Sequence, residues 1–114
     1  MAEQPLIDPS KPCQLFLPAE TQYAMKGIVS RTLLKTPTAR LILFGFDVGQ
    51  ELSEHTAPYH ALVQILAGEC EFQMGGKLHR LKAGDFISMP PNTPHGVKAT
   101  KELSMLLTLL PAPW

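Results

Sequence analysis

Turn signals recur about every ten residues along this chain, and they leave room for strands and almost none for helices. Eleven prolines and eight glycines are spread over 114 residues, and this proline content is about twice ordinary usage. Proline breaks helices and removes a ladder donor, while glycine permits the positive φ of tight turns, so both residues punctuate. Between them stand runs of strand length. IVSRTLLK and ARLILFGFDV are β-branched or apolar and are separated by TPT. ALVQIL alternates, and ECEFQM sets Cys70, Phe72 and Met74 on one face against Glu69, Glu71 and Gln73 on the other. The Gly75-Gly76 pair predicts a tight hairpin, KAGDF a second turn, FISMP another strand and KELSMLLTLL the last. The one helical candidate is AETQYAMK, residues 19–26, at most two turns between Pro18 and Gly27. Regular short strands with turns between them predict an all-β sandwich or barrel.

The length suits one domain with one core. Residues 1–26 read as a proline-rich arm with that short helix, and residues 27–114 as the β-domain. Ten basic residues balance ten acidic ones, so the excess of cations that a nucleic-acid binder uses to displace counterions is absent. The same neutrality gives no reason to expect an anionic membrane surface as partner. The start MAEQPLIDPSKP lacks a basic segment followed by an apolar one, and the apolar tail is broken by Pro111 at about half a spanning length. Cys13 and Cys70 lie in no redox or metal spacing, which predicts reduced thiols and, by default, a cytoplasmic protein.

Three glycines, a proline and two histidines then fall into register with a known pattern. Gly49, five residues and His55 are followed by Gly68; Gly84, five residues and Pro90 are followed by His95. In this the chain resembles the cupins, small β-barrels of jelly-roll topology. Their first motif reads G-x5-H-x-H-x3or4-E-x6-G and their second G-x5-P-x-G-x2-H-x3-N. The resemblance covers residues 49–99, and it implies a jelly-roll barrel of two antiparallel sheets. SEHTAP and MPPNTPHGVKA are similar to a group of short single-domain cupins, mostly of unassigned function. In metal-binding cupins the ligands are three histidines and the glutamate. Here the second histidine falls on Ala57 and the glutamate on Ala61, while Asn92 and Ala99 replace the inner glycine and the final Asn of the second motif.

The candidate metal ligands are therefore His55 and His95, with His60 as a third if a bulge beside Pro58 turns it inward. Alternation places positions 55, 57 and 61 on one face, looking into the barrel. Imidazole suits a divalent Fe, Mn, Ni, Zn or Cu ion, but a catalytic metal ordinarily has about three protein ligands. His79, in the hairpin KLHRL, reads as solvated, and Glu54 as a surface carboxylate. Tyr59, Gln64, Met89 and Cys70 are candidates for the cavity or its rim.

Three functions remain open at this level: a barrel that binds a metal ion or small molecule, a metal-dependent dioxygenase or isomerase, and a metal-free sensing or structural module. The catalytic motifs of other classes, a phosphate loop or a nucleophile with a flanking base, are not in the sequence. LILFGF and LSMLLTLL are apolar at both parities. That is more than one barrel interior hides, and it predicts a homodimer.

Overall fold

The computed structural model describes residues 4–113. After a short helix α1 (Leu17–Glu20) come β1 (Ile28–Thr36), β2 (Ala39–Phe46), β3 (Glu51–His55), β4 (His60–Ala67), β5 (Glu69–Met74), β6 (Lys77–Lys82), β7 (Phe86–Met89), β8 (His95–Ala99) and β9 (Leu103–Leu110). They form a five-stranded sheet in the order β1-β2-β9-β4-β7 and a four-stranded sheet in the order β3-β8-β5-β6. The pairings are antiparallel. The helix is one turn, carries a proline in that turn, and stops at Thr21, so it starts earlier and ends sooner than residues 19–26. No helix among the described residues is long and apolar enough to cross a membrane.

Alternation builds the core. On β4, Ala61, Val63 and Ile65 are buried and join Cys70, Phe72 and Val97 of the other sheet, whereas His60, Leu62 and Gln64 take the opposite face. Register aligns the inward rows: Phe46 faces Leu103, Phe44 faces Met105 and Ile42 faces Leu107, while Ile65 and Val63 flank Met105 and Leu107 from the other side. The β5–β6 hairpin turns at Gly75 and Gly76, both at positive φ (59° and 82°), as the sequence predicts.

Part of the outer face of the five-stranded sheet, over β1, β2 and β9, is buried as well, and the chain does this itself. The amides of Leu6 and Ile7 donate to the carbonyls of Thr32 and Leu33 at 3.1 and 2.7 Å. Leu6, Ile7 and Leu17 then pack on Leu33, Leu43 and Leu106, outside the barrel. Farther along the arm, the Thr21 and Ser104 hydroxyls bond at 2.6 Å. A strand buried on both faces has no need of polar alternation. The double-faced apolarity of β2 and β9, from which the sequence predicts a homodimer, is thus accounted for in part within one chain.

Candidate functional site

β3 and β8 bring His55 and His95 side by side. Leu52 faces Val97 and His55 faces His95, so three residues of β3 stand against two of β8. This is a β-bulge, and the added residue returns His55 to the inward side already taken by Leu52. Leu52 and Val97 both pack in the core, and Met74 faces His95 from β5. The continuous strand from 55 to 61 anticipated by alternation is not formed. β3 ends at His55 and β4 begins at His60 in the other sheet, with Pro58 in the crossing. Proline cannot donate to a ladder, so the pairing stops there. The Asn92 amide donates to the Ala57 carbonyl at 2.8 Å and ties this crossing to the β7–β8 turn. Asn92 itself sits at φ 66°, a left-handed conformation that Asn tolerates better than most residues.

The two imidazole centroids lie 4.3 Å apart, with the ring planes inclined at 56°. His55 Nδ1 donates to the Ser53 carbonyl at 2.9 Å, and His95 Nδ1 donates to the Thr93 carbonyl at 2.8 Å. A carbonyl only accepts, so each Nδ1 carries a proton, and in the neutral form of the ring Nε2 presents a bare lone pair. Such a backbone bond fixes the tautomer and the ring plane of a metal-ligating histidine. Phe72, 1% exposed, lies parallel to the His95 ring at 6.2 Å and backs it from the core. Beyond the pair the barrel wall is apolar: Ala61 is flanked by Met89 and Leu109. Alternation does not reveal these backbone acceptors.

The other candidates lie elsewhere. His60 Nε2 meets the Ser88 hydroxyl at 2.8 Å, on the side of β4 opposite to Ala61, and does not join the pair. His79 is half-buried rather than solvated, because it faces Phe72 across β5–β6 on the inward side of an edge strand. Gln64 is exposed on the outer face, Met89 is buried beside Ala61, and Glu54 is exposed. Cys70 lies at the far end of the barrel, facing Ala99. Burial, reinforced by the Asp85 carboxylate, pushes its thiol up to about 11, so at neutral pH it is no nucleophile. Among the described residues no group of three or more His, Cys, Asp or Glu side chains is placed to hold a metal ion. Two Nε2 atoms with anchored rings are half of a transition-metal site. Ala57 and Ala61 supply no donor for the rest, so the residues do not fit a catalytic centre of three or four protein ligands.

Comparison with known proteins agrees with this architecture. The pattern of the cupin domain matches residues 42–110. A conserved protein of unknown function from Streptococcus pyogenes is similar at 30% identity, with 100% of this chain and 98% of that one covered and a TM-score of 0.83. A cupin superfamily protein from Desulfitobacterium hafniense is similar at 22% identity, covering 97% and 100%, with a TM-score of 0.84. Salicylate 1,2-dioxygenase from Pseudoaminobacter salicylatoxidans is similar at 18% identity over 73% of this chain and 25% of that one, with a TM-score of 0.69; that likeness speaks for the fold alone. No curated protein matches the sequence. With the domain pattern spanning most of the barrel and both sheets in place, this chain belongs to the cupin family.

Proposed function

We propose that this protein binds a small molecule at the open end of its barrel, held by His55 and His95, and that a divalent transition metal joins only as a weak third party. The observation that carries the reading is the pair itself. Two rings 4.3 Å apart, each fixed through Nδ1, offer two Nε2 lone pairs beside an apolar wall. Convergent acceptors on an apolar pocket orient a ligand that carries hydrogen-bond donors. Fe, Mn, Ni, Zn or Cu would be held by the same two nitrogens, with water or the small molecule completing the coordination. Such an ion would supply polarisation of a ligand oxygen. With alanine at 57 and 61, the binding role is favoured over redox catalysis.

The reading includes a homodimer. The arm covers one part of the outer face of the five-stranded sheet, and the part near its edge strand β7 carries Phe86 at 56% exposure. Phe86 faces Gln64 next to Leu62. It also includes a reducing compartment, in keeping with two free thiols. Elemental analysis and titration with Ni, Zn, Mn and Fe salts test the site. The parent is expected to take up metal weakly, His55→Ala/His95→Ala to lose it, and His60→Ala to match the parent. Stoichiometric metal retained by the double variant would place the site elsewhere. Light scattering at micromolar concentration tests the dimer, and a mass near the 12.5 kDa of one chain would overturn it.

A further inference from the structure

The open end of the barrel carries a second polar feature. Lys35 and Arg40 face each other across the β1–β2 hairpin. Arg40 has the parity of Ile42, Phe44 and Phe46, the inward row of β2, so both cations stand on the inward side at the rim. Like charges directly opposite on a sheet repel. Neither has an ion-pair partner among the described residues, where the ion pairs are Arg31–Glu20 and Lys101–Glu69. Beside them lies a cleft of about 290 Å³ lined by Lys35, Thr36, Arg40, Tyr59 and Leu109. Tyr59 belongs to the crossing that starts at His55. Leu109 faces Arg40 on one side and Ala61 on the other, so the apolar wall runs from the cations towards the imidazole end.

Two cations facing each other without an ion-pair partner among the described residues, next to a cleft with an apolar wall and a phenol, make an anion site. We propose that Lys35 and Arg40 form a subsite for the carboxylate of a small organic acid whose apolar body lies along Leu109 and whose far end donates to the imidazole pair. This rests on the reading that the open end binds a small molecule, and it names the class of that molecule. An anion between the two cations relieves their repulsion, and Arg offers a planar fork that matches a carboxylate. Strands stand about 4.8 Å apart and stacked sheets about 10 Å. From β2 to the opposite sheet the ligand must therefore be elongated, with charge at one end and a donor at the other.

The probes are 4-hydroxybenzoate and its uncharged amide, 4-hydroxybenzamide, titrated into the full chain by calorimetry. The parent is expected to prefer the acid by roughly tenfold or more, the value of a charge-assisted contact. The preference should shrink as salt rises, because the cations are exposed. K35Q/R40Q should bind the two probes alike, with its circular dichroism unchanged. His55→Ala/His95→Ala should weaken both probes and keep the preference. Equal binding of acid and amide by the parent, a preference that survives K35Q/R40Q, or no saturable binding of the acid at millimolar concentration would each overturn the subsite. If the histidine double variant binds both probes as the parent does while K35Q/R40Q loses the preference, the anion subsite stands and the imidazole reading fails.

Discussion

The two ends of the barrel are built from the same strands and differ in what those strands present inward. Along β5 and β8 the inward pairs run Cys70 with Ala99, Phe72 with Val97, and Met74 with His95. The first two pairs are buried, whereas Met74 and His95 are only half-buried. Across the core the inward row of β2 runs from Phe46, at 0% exposure, through Phe44 and Ile42 to exposed Arg40. At the opposite, closed end the backbone approaches itself closely: Gly68 adopts φ +87°, and a Cβ there would overlap the Glu102 carbonyl oxygen. Apolar side chains make up the inward rows at one end, and His95, Lys35 and Arg40 end them at the other. Core density belongs to stability and convergent polar groups to recognition, so the fold keeps these tasks at opposite ends of one ladder.

The contrast breaks most visibly at the closed end. Phe46→Ala should destabilise the protein by roughly 3–5 kcal/mol, because a fully buried ring leaves a cavity. Chemical denaturation measures this, and a loss near that of an exposed site would mean that the closed end is not the packed one. Cys70 gives the next effect. Burial holds its folded pKa at about 11, above the ordinary thiol value of 9.0. Below pH 9 both states keep the proton and the stabilisation is whole. As pH rises from about 9 through 11, the unfolded chain ionises first and stability falls, by on the order of 2 kcal/mol. Denaturation midpoints at pH 8 and 11 check this, and Cys70→Ala should flatten that part of the profile. At the open end, His55→Ala/His95→Ala should cost about 1–2 kcal/mol at most, since each ring gives up one bond to a carbonyl. A loss comparable to Phe46→Ala would make the pair a structural element rather than a recognition site.

The contrast was only half legible in the sequence. Strand-length runs and glycine-proline punctuation carry the all-β fold, because turns and alternation are local physics. The motif register locates His55 and His95, since Gly49, Gly68, Gly84 and Pro90 are backbone constraints that stay in place while the ligands between them change. What alternation missed is non-local. The bulge between Leu52 and His55 adds a residue that only the pairing with β8 reveals, and Pro58 ends a strand that period-2 counting carries on. The inward side of His79 follows from its partner Phe72. The opposition of Lys35 and Arg40 was readable from KTPTAR, where a two-residue turn at Pro37-Thr38 sets them across from each other. The cleft beside them was not, because Tyr59 and Leu109 arrive from distant parts of the chain.

The central claim is that His55 and His95 present their Nε2 atoms together at the open end. Nitrogen-15 spectra of the four histidine rings, recorded at neutral pH with and without added Zn²⁺, test it most directly. His55 and His95 are expected as rings protonated at Nδ1, with both Nε2 resonances moving together as metal is added while His60 and His79 stay in place. Nε2-protonated tautomers for the pair, or a response confined to His60 or His79, would contradict it.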